Sequence, residues 1–541
     1  MNSISTKWYW FLFGLITVVN LLGMGLIDIM DVDAAQYASM SREMLETGNY
    51  LQLFNRGIAY LDKPPFLFWV SSASFNLFGI SNFSYKLPSF LFVLIGVWST
   101  FNLGKLLYNK QTGLLASIIL YSSQAYFLFV HDVRTDTILA NVVILAVWQL
   151  YVFMTDRSLK ALVIGSVAVG IAMLEKGPIG VMVPVLALGS QLVYARSWKV
   201  VWRWEWLIGV LVILLVLAPM CYGLYTQYGM HGLEFYFWTQ SFGRITGQSE
   251  WQDNSSVFYF VHTFLWAFLP WMFIAFYGVG MHLLKVVKDK LSFDGKTEVI
   301  TLAGFLLTFI AMSLSHYKLP HYIFVVFPLV AIISANYLVI IMESNISKKI
   351  FFGLNWFIVI VLSIIVSLLV FGTFTLKNPF IILVGFGLVV SSFYFLVKEE
   401  SPLNKLFIAP VLLIVGVNFM LNTFFYPTLL QYQGGSVIGK EIAQEYGIDE
   451  PIFTYNLVEH SMDFYARRIV PILREGDISD YKELYVFTDE NGYAKLINLG
   501  YPIEVLREVD DFHVTELTIN FLKPSLRSDA VGKNYFLSIK P

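Results

Sequence analysis

The chain repeats one feature almost from end to end: apolar runs of about 20 residues, separated by short polar segments. A helix of that length spans about 30 Å, the thickness of a bilayer's hydrocarbon core. Thirteen such runs are predicted as transmembrane helices, at approximately 8–30, 84–107, 112–130, 134–154, 160–175, 178–196, 204–226, 257–283, 297–315, 319–342, 349–371, 376–397 and 404–424. The composition agrees, with 57% hydrophobic and only 14% charged residues over 541 positions. A soluble protein of this length would need far more charge on its surface. The single cysteine, Cys221, excludes a disulfide within the chain, and the net charge of −2 gives no signature of nucleic-acid binding. Lys7 precedes an aromatic-rich apolar stretch with no small-residue cleavage site, which reads as an uncleaved signal anchor.

Lysine and arginine orient the spans. With the N-terminus in the cytoplasm, the short cytoplasmic loops hold sixteen Lys/Arg and the longer outer loops nine. An odd number of spans puts the C-terminus outside. Two outer loops are long, 31–83 and 227–256. The first is expected to hold a helix with Ala34, Tyr37, Ser41, Met44 and Leu45 on one face, and Gln36, Arg42, Glu43 and Glu46 turned away from it. A second, interfacial helix is expected behind the proline pair of "YLDKPPFLFWVSSASFNLFG". From residue 427 charge rises and β-like runs appear at 451–456, 484–489, 503–509 and 535–539, with a helix at 436–446. The expected fold is therefore an all-α polytopic membrane domain, 1–426, with interfacial helices, followed by a small extracytoplasmic α/β domain, 427–541.

The ionisable residues at span ends gather on the outer face. Asp31 and Asp33, in "LIDIMDVDAAQYASMSREML", admit two readings: Asp33 with Gln36 has capping-box spacing, and a carboxylate at the membrane surface can also serve as a general base. Asp62 and Lys63, in "DKPP", stand where a lysine can meet a lipid phosphate or simply reach to headgroups. "VHDVRTDTILA" packs His131, Asp132, Arg134 and Asp136 into a short hairpin, as a site or as an ion pair that closes it. "EKGP" (Glu175–Pro178) and "SHYKLPHY" (Ser315–Tyr322) add charge at span ends, where ionisable groups default to a functional reading. Lys318 and Arg244 are further candidates for phosphate binding. His316 and His321 are a weak metal signal, five residues apart without a nearby acid.

In order along the chain, "DVDAAQYASMSREMLETGNY", "YLDKPPFLFW", "YKLPSF", "RTDTIL", "LEKGP", "KLPHYIFVVFPLVA" and "SMDFYARRIV" resemble the bacterial lipid-linked sugar transferases related to lipid A aminoarabinose transferase and protein O-mannosyltransferases, of the glycosyltransferase-C superfamily. The resemblance implies an integral membrane enzyme that passes a sugar from a polyprenyl phosphate to an outer acceptor (glycolipid, protein or glycan) with inversion. It makes Asp33 the leading catalytic residue, with Tyr37 as the tyrosine of the same motif, and Asp136 as a second acid after Arg134 in the "R-x-D" hairpin. It sets Asp62–Lys63 in the acidic–Lys pair, Lys86 in the basic–Leu–Pro–Ser motif, and Lys63, Arg244 and Lys318 toward donor phosphate. Asp31 is an upstream acid where relatives often have two adjacent acids. The late-loop histidine implicated in metal binding is missing from "DNSSVFYF", His262 lying further along, so no metal or other cofactor is expected. Membrane lipids are the surrounding partner, and the bacterial cytoplasmic membrane the expected location. A polyprenyl-linked sugar transporter or flippase is the alternative, disfavoured by the scarcity of mid-span ionisable residues.

Overall fold

The computed structural model describes residues 4–243, 255–292 and 297–541. Among these, eight helices are long and apolar enough to cross a membrane: α1 (Thr6–Leu26), α4 (Asn82–Leu107), α7 (Thr135–Asp156), α10 (Trp206–Tyr228), Pro320–Ile341, Asn345–Thr373, Pro379–Lys398 and Pro402–Tyr432. The pair α5 (Lys110–Tyr121) and α6 (Gln124–His131), bent by 55°, makes a ninth if counted as one span. Thirteen full-length apolar helices are not found among the described residues. The remaining runs also form helices: Leu159–Lys176 is continuous over 18 residues but carries Lys160, Glu175 and Lys176, and the others are short or broken. α9 (Ile179–Tyr194) has 16 residues and Ile300–Ser313 has 14, about 24 and 21 Å at 1.5 Å per residue. The run 257–283 divides into Tyr259–Ala267 and Met272–Ser292, with Pro270 in the break.

Chain that enters hydrocarbon must satisfy its amides internally, so helices carry every crossing and their ends carry the polar chemistry. Side-chain caps recur there: Ser81, Asn109, Ser158, Ser344, Asn378 and Ser401 each accept from a first-turn amide. The "EKGP" segment is a tight reversal. α8 (Leu159–Lys176) ends at Gly177, whose φ of 66° suits glycine, and α9 turns straight back. Gly180 then lies against Ala172, where an added Cβ would sit 2.4 Å from the backbone. Only a residue without a side chain lets the two helices meet that closely.

The segment between α1 and α4 holds two helices, α2 (Asp33–Thr47) and α3 (Phe66–Phe78), joined through the hairpin β1 (Phe54–Asn55) and β2 (Ile58–Ala59). Two expectations about α2 are corrected. Asp33 does not cap it: the N-cap is Val32, with no side-chain bond, and Asp33 lies inside the first turn. Arg42 and Glu43 are buried rather than turned outward. Glu43 is buried because it clamps the hairpin, accepting the backbone amides of Arg56 at 3.0 Å and Gly57 at 2.8 Å. Both those residues have positive φ, 55° and 73°. Arg42 pairs with Glu46 at 2.9 Å.

The C-terminal strands are those read in the sequence: β3 (Ile452–Tyr455), β4 (Leu484–Asp489), β5 (Ile503–Asp511) and β6 (Gly532–Ile539). They order β3-β4-β6-β5, with only the β3–β4 pair parallel. Residues alternate between two apolar layers: Phe487 and Phe536 pack on Ile438 and Ile442 of the helix Gly434–Glu445, and Val486 and Leu537 pack on Leu473 and Leu496.

This sheet unit holds the loop that precedes α2. The Asp31 amide donates to Gln433 Oε1 (2.9 Å), the Ser461 amide to Asp31 Oδ1 (3.1 Å), and the Ile29 amide to Tyr465 Oη (2.8 Å). Lys440 meets Asp28 at 2.5 Å, and Arg56 meets Asp463 at 2.5 Å. Burial raises the Asp31 carboxyl to about 7, with Asp511 adding to the rise and the Ser461 bonds opposing it. Burial, then Asp31 and Asp511, raise Glu459 well above the usual carboxylate range. Burial raises Asp511 too.

Two predictions follow from these contacts. An acid whose folded pKa is raised favours the folded state below its unfolded value and loses that contribution as pH rises through the folded value. The melting temperature of the detergent-solubilised protein should therefore fall between pH 4.5 and 7.5, and Asp31→Asn should flatten that slope. A variant slope equal to that of the wild type would remove Asp31 from this linkage. Separately, Glu43→Ala should open the hairpin to trypsin after Arg56, a cleavage absent from the wild type.

Candidate functional site

Several helix ends converge on a cavity that encloses about 980 Å³, its open mouth included. Four elements supply its charge. The first turn of α2 brings Asp33 and Tyr37; the segment before α3 brings Asp62 and Lys63; the turn into α7 brings Arg134 and Asp136; and the α8–α9 reversal brings Glu175 and Lys176. Tyr236, Gln240, Tyr317, His321 and Tyr322 complete the polar lining.

Arg134 is the central link. Its Nη1 lies 2.5 Å from Asp33 Oδ2 and its Nε 2.7 Å from Asp132 Oδ2, so one guanidinium fork bridges two carboxylates. Asp33 stays 41% exposed, open to a ligand despite that partner. Tyr37 is almost fully buried beneath it, packed edge-on against Phe68, and burial raises its phenol well above the usual value. Lys63 contacts its neighbour Asp62, which also accepts from Gln240 Nε2 at 2.8 Å. Lys176 Nζ lies 2.6 Å from Asp136 Oδ1 and 3.6 Å over the Tyr322 ring. His321 Nε2 approaches the other Asp136 oxygen at 3.5 Å.

Of the residues singled out in the sequence, Asp33, Tyr37, Asp62, Lys63, Arg134 and Asp136 therefore line one cavity. Three lie elsewhere. Asp31 faces Ser461 and the C-terminal unit. Lys86 is fully buried and donates to the Ile27 carbonyl. Lys318 donates to the Ser255 carbonyl at 3.1 Å and does not line the cavity. Arg244 falls outside the described residues. Tyr236 and Gln240 had no motif to mark them; the only signal was a glutamine in the aromatic run "FYFWTQSFG". Among the described residues no three His, Cys, Asp or Glu side chains converge as metal ligands. Asp62 is engaged by Lys63 and Gln240, while His262 and His316 are exposed, so the donor set does not fit a divalent ion.

Residues 62–222 match the family model described as dolichyl-phosphate-mannose-protein mannosyltransferase. The undecaprenyl phosphate-alpha-4-amino-4-deoxy-L-arabinose arabinosyl transferase of Shewanella sediminis is 26% identical over 267 residues, 48% of this chain and 47% of that protein. An uncharacterized protein of Aquifex aeolicus is 26% identical over 445 residues, 80% of this chain and 82% of its own. The chain thus spans about half the length of the arabinosyl transferases it matches. The crystal structure of ArnT from Cupriavidus metallidurans bound to undecaprenyl phosphate superposes with a TM-score of 0.76, at 18% identity and 98% coverage of both chains. The fold is that of ArnT, and the resemblance read in the sequence to glycosyltransferase-C lipid-linked sugar transferases is borne out. The protein is a multi-span membrane protein of that fold.

The bridging role of Arg134 predicts an asymmetry. Arg134→Gln leaves Asp33 and Asp132 facing each other without a cation, whereas Asp33→Asn removes a charge and keeps a hydrogen-bonding group. Thermal unfolding in detergent should show the larger loss of melting temperature for Arg134→Gln. Equal shifts would mean that the bridge does not hold the hairpin.

Proposed function

We propose that the protein is an integral membrane glycosyltransferase that moves a sugar from a polyprenyl phosphate to an acceptor on the outer side, with inversion at the anomeric carbon. The single observation that carries this reading is the cavity in which Asp33, held by Arg134, opens beside Lys63 and Lys176 at one end of the helix bundle. The similarity to undecaprenyl phosphate-dependent arabinosyl transferases and the ArnT fold support it.

The chemistry asks for two things. The leaving group is a phosphate, whose charge must be met where water is largely excluded. Lys63, with the amides at the start of α3, offers that, and Lys176 adds a second cation. The acceptor hydroxyl must be positioned and relieved of its proton on the opposite face of the sugar. Asp33 is the most exposed carboxylate of the set, and the Arg134 bridge fixes where it opens into the cavity. Asp136, nearly buried between Lys176 and His321, is a positioning residue that fixes both. Arg244, which lies outside the described residues, and Lys318, which does not line the cavity, remain proposals for phosphate binding.

The N-terminus is proposed to be cytoplasmic, with residues 427–541 outside the membrane as an α/β domain that borders the acceptor side. The sheet unit and the cavity lie at the same end of the bundle, as the contacts of Asp31 and Arg56 with it require. A lipid A-like glycolipid is the acceptor class most in keeping with the arabinosyl transferases.

In membranes or vesicles charged with a labelled polyprenyl phosphate sugar, Asp33→Asn should lower transfer by about 10²–10⁴-fold while the protein still inserts and binds the lipid. Transfer near the wild-type rate contradicts a base role for Asp33. Lys63→Met should raise the KM for the donor more than it lowers kcat; an unchanged KM would remove Lys63 from phosphate binding.

A further inference from the structure

Four carboxylates line the cavity, and three touch a cation: Asp33 on Arg134, Asp62 on Lys63, and Asp136 on Lys176. Glu175 is the exception. Its side chain is fully buried, and neither carboxylate oxygen has a hydrogen-bond partner. No cation among the described residues lies within ion-pair distance of it.

Its position compounds the cost. Glu175 is the penultimate residue of α8, at the helix end that carries negative partial charge and favours cations. Asp136, a carboxylate of like charge in the same lining, is close enough to repel it. A leucine or methionine would fill the volume without desolvating a polar group. A buried polar group left unsatisfied in the free protein, in a cavity built for a ligand, points to a ligand group that satisfies it.

We infer that Glu175 accepts a hydrogen bond from the transferred sugar, from a hydroxyl or an ammonium group, and thereby determines which sugar the cavity admits. This rests on the glycosyltransferase reading, and the chemistry of the ligands selects the sugar from the alternatives. The donor's phosphate is an anion, repelled by a carboxylate. The polyprenyl tail has no hydrogen-bond donor. The attacking hydroxyl of the acceptor is matched to Asp33. The sugar brings several donors, and Glu175 belongs to the cavity lining while its side chain is shielded from bulk water. A carboxylate that lacks its own partner rejects a sugar without a donor at that position, because the site is then left unpaired.

The test is binding, read without an acceptor, on full-length protein in nanodiscs. Three probes are compared: undecaprenyl phosphate, undecaprenyl phosphate mannose, and undecaprenyl phosphate-alpha-4-amino-4-deoxy-L-arabinose. Glu175→Leu should bind undecaprenyl phosphate as the wild type does and lose about tenfold or more in affinity for at least one sugar-loaded lipid. Glu175→Gln then separates the two sources. An amide oxygen still accepts from a hydroxyl, so retained affinity identifies a hydroxyl, and a loss equal to that of Glu175→Leu identifies the ammonium. Both variants should melt at or above the wild-type temperature, since each removes an unpaired buried carboxylate.

Unchanged affinity of Glu175→Leu for both sugar-loaded lipids overturns the inference. So does an equal loss for undecaprenyl phosphate, or a fall in melting temperature for both variants, which marks a structural role. Sugar-dependent binding through Glu175 in a protein that transfers nothing would overturn the transferase reading alone.

Discussion

Hydrocarbon offers no partner to a peptide group or a charge, and the architecture depends on that constraint. Helices take every crossing, so side chains able to do chemistry collect where helices begin and end. Here four such ends meet: the first turn of α2, the approach to α3, the turn into α7 and the α8–α9 reversal. Most of their charges are paired, Arg134 with Asp33 and Asp132, Lys63 with Asp62, and Lys176 with Asp136, with Glu175 the exception. What would be costly singly becomes a stable set of opposed charges, with Asp33 left half open to what enters.

The placement of Asp33 is inherited from the segment before it. Residues 27–31 are gripped from two sides. Lys86 donates to the Ile27 carbonyl from within α4, while Tyr465, Gln433 and Lys440 hold Ile29, Asp31 and Asp28 from the C-terminal unit. α2 starts immediately after, so a carboxylate in its first turn is fixed without needing to cap the helix. The C-terminal sheet unit thus supports the loop that aims Asp33. Arg56 and Asp463 tie the same unit to the hairpin ahead of Lys63.

Much of this was legible in the sequence because it is local. Apolar run length predicts helices, alternation predicts the four strands, and charge at span ends marks one face. What was not legible is tertiary. Of the thirteen runs, eight are long apolar helices among the described residues, or nine with the bent α5–α6 pair, and Pro270 and the Gly177 reversal shape others in ways that hydropathy does not see. Arg42 and Glu43 look like surface residues of an amphipathic helix, yet a hairpin folded back onto α2 buries them. Asp31 and Asp33, two residues apart, go to different partners 300 to 400 positions apart in consequence: Ser461 for one and a cavity with Arg134 for the other. Glu175 was visible as part of "EKGP", but its lack of a partner can be seen only once its neighbours are in place.

Transfer itself is the most direct measurement. Purified protein in vesicles, given an undecaprenyl phosphate sugar labelled in the sugar and an extract of outer-face glycolipids, should release undecaprenyl phosphate in step with a glycosylated product of inverted anomeric configuration. Labelled lipid that crosses between leaflets intact, with no undecaprenyl phosphate released and no product formed, would contradict a transferase site at this cavity.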